Sequence, residues 1–275
     1  MQVAYTKMQG TGNKILVVDQ RGTDRAPPSA NALRMLGDDE TGPGFDQLMW
    51  VTAASEPDNA ASYRVFNRDG SEVEQCGNGV RCIAAFVSAG SDRKTLTLAS
   101  PSGLVEARLL GGGEVSVSLG EPRFAPDTAF LVDTQEADRY RLTVAGSEVE
   151  FGAVSLGNPH AVINVDSVDS APVGIIGEAF QDQPLFPNGV NVGFMEVLER
   201  TRIRLRVFER GVGETLACGT GAAAAVLVGQ RWRRLDASVH VELPGGTLGV
   251  DWQGPGTPVW LSGRATSVYE GRLTV

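Results

Sequence analysis

The feature that most constrains this 275-residue chain is that its landmarks occur twice, in the same order. Gly12-Asn13 leads into Ile15-Leu16-Val17-Val18-Asp19, and Gly157-Asn158 leads into Ala161-Val162-Ile163-Asn164-Val165-Asp166. Each is a Gly-Asn step followed by a β-branched run that closes on Asp. A Cys-Gly-x-Gly elbow then opens an apolar helical stretch in each copy. The elbows are Cys76-Gly77-Asn78-Gly79 before residues 80–87 and Cys218-Gly219-Thr220-Gly221 before residues 222–228, 142 residues apart. A strand and a Pro-Gly turn follow both times, Leu96-Thr97-Leu98 before Pro101-Ser102-Gly103 and Val239-His240-Val241 before Pro244-Gly245-Gly246. Returning strands are expected over residues 104–110 and 247–252. A chain that repeats its landmarks at a fixed offset is read as one unit built twice.

Short alternating strands and tight turns favour antiparallel pairing over a doubly wound βαβ sheet. Before the elbows, Tyr63-Arg64-Val65-Phe66 and Ile203-Arg204-Leu205-Arg206-Val207-Phe208 alternate polar with apolar residues. The expected class is α+β: two pseudo-symmetric α/β domains, each a mostly antiparallel sheet wrapped around a central helix, with the active-site cleft between them. The domains are expected at 1–120, joined by a last strand over about 265–275, and at 121–264, with the linker near Gly120-Glu121-Pro122.

Composition narrows the class. A chain of this length can bury one large core or two smaller ones. A formal net charge of −9 argues against a general nucleic-acid surface. The one basic cluster, Arg231-Trp232-Arg233-Arg234, falls at the end of the second elbow helix, where cations suit the dipole. No signal-peptide core or membrane-length apolar run stands out, so no membrane partner is expected. Three cysteines do not make a disulfide framework, and reduced thiols in the cytoplasm are the expectation.

The elbows carry the chemistry. Glycines let a ligand approach the backbone closely, and the first N–H groups of a helix lack intrahelical partners. Such a terminus favours anions, so a cysteine there is expected to ionise more readily, toward neutral pH. The same N–H groups can hold a carboxylate while charge develops on an adjacent carbon. Two matched elbows imply a substrate held between two thiols, one removing a proton and one delivering it. Cys82 lies inside the first helix and is read as packing.

The strings Phe66-Asn67-Arg68-Asp69-Gly70-Ser71, Cys76-Gly77-Asn78-Gly79-Val80-Arg81-Cys82, Asn158-Pro159-His160 and Glu209-Arg210-Gly211-Val212-Gly213-Glu214-Thr215 before Cys218 together resemble diaminopimelate epimerase. The resemblance spans essentially the whole chain. It implies a cofactor-independent isomerase that turns LL-2,6-diaminopimelate into the meso form, on the route to lysine and peptidoglycan. It further implies Cys76 as the thiolate base and Cys218 as the thiol acid in that direction, with His160 and Glu209 tuning them. For substrate binding it implies Asn13, Gln47, Asn67, Asn158 and Asn191, the peptide groups of Gly77, Asn78, Gly219 and Thr220, Glu209 for an ammonium and Arg210 for the distal carboxylate. The expected partner is a small amino acid, and strand edges would allow a homodimer, as in some relatives. One departure stands out: the family's acidic-aromatic step after Asn13 is Lys14-Ile15 here.

Other readings compete. Another two-thiol racemase or epimerase would need no Glu209-Arg210 pair for a second amino-acid end. A non-catalytic amino-acid-binding protein would need no paired thiols. A zinc site from Cys76, Cys82, Cys218 and a histidine is disfavoured by the Cys-x5-Cys spacing, and no metal is expected.

Overall fold

The computed structural model describes residues 2–23, 25–73, 76–128, 130–144 and 146–274. Its elements are β1 (Gln2–Gly10), β2 (Asn13–Asp19), α1 (Ala30–Gly37), β3 (Gln47–Thr52), β4 (Ala61–Asn67), β5 (Glu72–Val73), α2 (Gly77–Ser88), β6 (Thr95–Ser100), β7 (Gly103–Gly111) and β8 (Glu114–Ser118). They continue with β9 (Tyr140–Val144), β10 (Ser147–Ser155), β11 (Pro159–Asn164), α3 (Val173–Gln181), β12 (Asn191–Glu199), β13 (Arg202–Glu209), β14 (Gly213–Thr215) and α4 (Gly219–Arg231). The last are β15 (Ser238–Leu243), β16 (Gly246–Asp251), β17 (Trp260–Arg264) and β18 (Thr266–Thr274). Contacts divide the chain into two compact units, Met1–Ser118 with Ser262–Val275, and Leu119–Leu261.

Both units use one pairing scheme. In the first, β1 pairs antiparallel with β2, β2 parallel with β3, β3 antiparallel with β4, β4 antiparallel with β5 and parallel with β6, and β6 antiparallel with β7. In the second the same steps run β10–β11, β11–β12, β12–β13, β13–β14, β13–β15 and β15–β16, with the same senses. A parallel step needs a crossover rather than a hairpin. Segments 20–46 and 165–190, which contain α1 and α3, make the first crossover of each unit, and α2 and α4 lie in the second.

The elbow helices are the hubs. Residues Ala222 to Val228 of α4 are at most 1% exposed, and α4 packs on β10, β11, β12, β13 and β16. Its run of alanines lets the sheet approach on all sides. Helix α2 packs on β1, β2, β3, β7 and β8, with Val80 to Ala84 buried. Away from these helices, Val3, Leu16, Val18, Leu33, Phe45, Leu48, Trp50, Phe66 and Leu273 form a core in the first unit. In the second, Phe130, Phe151, Phe180 and Phe186 cluster, with Phe151 edge-on to Phe180 at 5.3 Å.

Strands expected from the sequence appear at β4, β6, β7, β13, β15 and β16. The last strand runs antiparallel along β1, and Leu273 reaches the first unit's core. The expectation extended it to Val275, which lies outside the described residues. Trp252 falls just past β16 and packs as a buried side chain instead.

Candidate active site

Each cysteine is the N-cap of its helix. Cys76 (φ −142°, ψ 109°) and Cys218 (φ −122°, ψ 113°) hold extended backbones, and each Sγ accepts the N–H of the glycine three residues on, at 3.3 Å. The first intrahelical bonds are Val80 N–H to the Cys76 carbonyl and Ala222 N–H to the Cys218 carbonyl, both 2.9 Å. The N–H groups of Gly77 and Asn78, and of Gly219 and Thr220, therefore have no partner within their helices. Two adjacent amides beside a capping sulfur form an anion cradle in each unit.

In the first unit the β1–β2 turn lies against this cradle, tied to it through Arg81. Thr11 and Gly12 make a two-residue hairpin turn with φ of 54° and 81°, which delivers Asn13 to the start of β2. The register places Ile15 opposite Gln47 and Gln47 opposite Asn67, so Asn13, Gln47 and Asn67 share one end of the sheet. Gln47 Nε2 donates to Asn67 Oδ1 at 3.3 Å, and Asn67 Nδ2 donates to Ser71 Oγ at 3.2 Å. Asn13 Oδ1 and Gln47 Oε1 are buried and accept no hydrogen bond. Buried acceptors of this kind ordinarily have partners, so two of them at one strand end suit a ligand's donors. The Lys14-Ile15 departure is absorbed locally: Ile15 is fully buried and Lys14 pairs with Asp39 at 2.9 Å.

In the second unit one of the matching positions, Glu209, is a carboxyl where the first unit has an amide. His160 Nε2 lies 3.0 Å from Asn158 Oδ1, and Asn158 Nδ2 donates to Thr220 Oγ1 at 3.3 Å. Thr220 Oγ1 is 3.6 Å from Cys218 Sγ. Glu209 ends β13, accepts from Thr215 Oγ1 at 2.5 Å and hydrogen-bonds the Cys218 thiol. Asn191 is a backbone tie, its Oδ1 accepting Arg210 N–H at 3.0 Å and its Nδ2 donating to the Pro159 carbonyl at 3.3 Å. Arg210 is exposed and donates through Nη1 to the Asn188 carbonyl at 2.9 Å.

The two sets correspond by position in the repeat. Asn13 matches Asn158, Gln47 matches Asn191, Asn67 matches Glu209 and Cys76 matches Cys218. His160 stands where the first unit has Ile15, each opposite the first residue of the next strand.

Electrostatics correct one expectation. Cys218 does not ionise readily: burial first, and then the neighbouring Glu209 carboxylate, hold its pKa well above the usual thiol range. The Gly221 N–H and the Thr220 hydroxyl oppose this and are outweighed. Burial raises Glu209 as well, against its hydrogen bonds from Thr215 and Cys218. Burial, with the charge of Arg210 adding, pushes His160 down to about 3, so its imidazole is neutral at physiological pH. Cys82 is packing, as expected; burial pushes its thiol up to about 12. Two contributors escaped the sequence reading: Thr215, hidden because only the β13–β14 hairpin brings it to Glu209, and Arg81, fully buried beneath the first elbow.

The diaminopimelate epimerase family model matches residues 5–125 and 152–268. The chain belongs to the diaminopimelate epimerase family. It is 47% identical over 275 residues to the diaminopimelate epimerase of Ectopseudomonas mendocina (strain ymp), covering 99% of each. It is 45% identical over 277 residues to that of Pseudomonas syringae pv. tomato, again covering 99% of each. Among solved structures, a hydroxyproline epimerase from Agrobacterium vitis matches with a TM-score of 0.71 at 15% identity, over 99% of this chain and 92% of that one. A methylitaconate-delta-isomerase matches at 0.60 and 14% identity, over 99% and 95%. At those identities the likeness is one of fold, and it bears out the two-copy α+β reading. Among the described residues no helix is long and apolar enough to cross a membrane.

Proposed function

We propose that this protein inverts one α-carbon of LL-2,6-diaminopimelate to give the meso form, in the making of lysine and peptidoglycan precursors. The observation that carries this reading is the pair of N-capping cysteines at equivalent positions of the repeat, each beside two helix-end amides without intrahelical partners. In the LL-to-meso direction Cys76 takes the α-proton and Cys218 returns one to the opposite face of the carbon. The reverse reaction exchanges the roles, as microscopic reversibility requires. No cofactor enters these steps.

The substrate's reacting carboxylate is held by the amides of Gly77, Asn78, Gly219 and Thr220, where charge builds as the proton leaves. Asn13 Oδ1 and Gln47 Oε1 offer acceptors to an ammonium group, beside Asn67. Arg210 takes the distal carboxylate through a two-pronged pair. Asn158, Asn191 and neutral His160 hold the second cradle in register, and Glu209 keeps the proton on Cys218 while offering a charge to an ammonium. That Cys218 is held as a thiol supports its role as the acid.

Chiral chromatography after incubation with LL-diaminopimelate, L-proline, trans-4-hydroxy-L-proline, L-glutamate and L-histidine tests the substrate. Only diaminopimelate is expected to change configuration. Turnover of proline or hydroxyproline in its place would assign the protein to another two-thiol racemase class.

A further inference from the structure

Arg81 is fully buried on α2, five residues beyond the capping Cys76. Side chains on a helix lean toward its N-terminus, and this one does: Nη2 donates to Asn78 Oδ1 at 2.8 Å and to Thr11 Oγ1 at 3.1 Å. Nε and Nη1 have no hydrogen-bond partner, and none of the salt bridges among the described residues includes Arg81. Burying an uncompensated cation is costly, and the positive end of a helix macrodipole adds to the cost. A sequence keeps such a residue where function demands it.

The charged and titratable groups of the described residues around it narrow its counter-charge. Among the described residues, Cys82 interacts with it and Tyr63 with Cys76, and burial pushes both up to about 12, so both are neutral. From β1, Tyr5 is a neutral phenol raised by burial, and Lys7 is occupied by the carbonyls of Pro43 and Gly44. From β2, Lys14 pairs with Asp39 and Asp19 with Arg21. Strand β3 carries no ionisable side chain, and Glu106 and Arg108 on β7 and Glu114 on β8 are exposed. Among the described residues, what remains is the sulfur of Cys76, with an anion at the amides beside it.

The repeat sharpens the point. The residue equivalent to Arg81 in the second copy is Ala223, and the residue equivalent to Glu209 in the first is Asn67. One elbow thus has a buried cation and a neutral amide, and the other has a methyl group and a carboxylate. The two thiols are matched in backbone and opposed in charge environment.

Resting on the epimerase reading above, we propose that Arg81 is a positioning residue: it is the buried counter-charge that keeps Cys76 as the thiolate, and it clamps the hairpin turn carrying Asn13 onto the first turn of α2. The clamp is direct. Thr11 adopts a left-handed conformation that a β-branched residue rarely takes, and Arg81 holds its hydroxyl there. Beside it, a Cβ on Gly10 would lie 3.2 Å from the Asn78 carbonyl oxygen.

The test is the pH dependence of Cys76 alkylation by iodoacetamide, read by peptide mass spectrometry on the full-length wild type, Arg81→Gln and Arg81→Lys. Wild-type Cys76 is expected to reach half its maximal rate below the value of about 8.5 for a free thiol. Arg81→Gln should move that midpoint up by about one unit or more, and kcat should fall at least about tenfold with a smaller change in KM. Arg81→Lys should keep the low midpoint and recover only part of kcat, since charge survives and the fork to Thr11 and Asn78 does not. Circular dichroism reports whether each variant is folded. A folded Arg81→Gln with an unmoved midpoint overturns the proposal. If that variant does not fold, a wild-type midpoint at or above about 8.5 overturns it equally. Failure of the epimerase reading shows separately, as wild-type protein that leaves diaminopimelate unchanged whatever its alkylation profile.

Discussion

A thiol at a helix N-cap is pulled two ways, and Cys218 shows which pull wins. The Gly221 N–H and the helix terminus favour the thiolate, but burial and Glu209 favour the thiol and prevail. That outcome was not legible in the sequence. Cys-Gly-x-Gly announces the cap and its anion cradle, whereas desolvation depends on what surrounds the sulfur after folding. The partner of Glu209 was equally hidden, because Thr215 reaches it only across a hairpin. The cysteines, the Gly-Asn steps and the Glu209-Arg210 pair, by contrast, stand in plain strings. Glu209→Gln gives the residue-scale test. Removing a negative neighbour stabilises the Cys218 thiolate and lowers its pKa, so Cys218 loses its proton at lower pH. The basic limb of the LL-to-meso rate profile should therefore move to lower pH by about one unit, with kcat down roughly tenfold or more. A basic limb that stays in place would remove Glu209 from the control of Cys218.

Elements were legible where alternation or caps marked them and illegible where pairing alone decides. Strand β13 alternates along most of its length, β4 does so up to Val65, and both lie where the pattern puts them. The parallel steps β2–β3 and β11–β12 join segments separated by long crossovers, and no local pattern names such partners. The end of α4 also differs from its expected role. Only Arg231 of the basic cluster is in the last turn, and it pairs with Glu136 and Asp138 rather than serving the dipole alone. Arg233 takes the left-handed position after the helix, φ 58°, that glycine usually fills, and Arg234 N–H closes the end on the Gly229 carbonyl at 2.9 Å. The alanine run of α4 makes an element-scale prediction. Ala224 is fully buried with sheet on several sides, so Ala224→Leu should overpack the hub and cost about 1–3 kcal/mol. Urea unfolding checks it; an unchanged midpoint would mean that space remains around α4.

At the scale of the whole molecule the repeat is the organising fact. One pairing scheme serves both units, and the last strand of the chain completes the first unit along β1. The duplication itself was readable from the repeated order of landmarks, whereas the parallel steps of the scheme were not. What duplication conceals is divergence: Arg81 against Ala223, and Asn67 against Glu209, turn two equal scaffolds into one elbow suited to a thiolate and one suited to a thiol. In the proposed mechanism both thiols act on one carbon. Proton NMR in deuterated water, with LL-diaminopimelate and fresh reductant, tests it on wild type, Cys76→Ala and Cys218→Ala. Deuterium at one α-carbon and meso product are expected with wild type, and loss of epimerisation in both variants. Epimerisation at the full rate in either alanine variant would show that one thiol suffices.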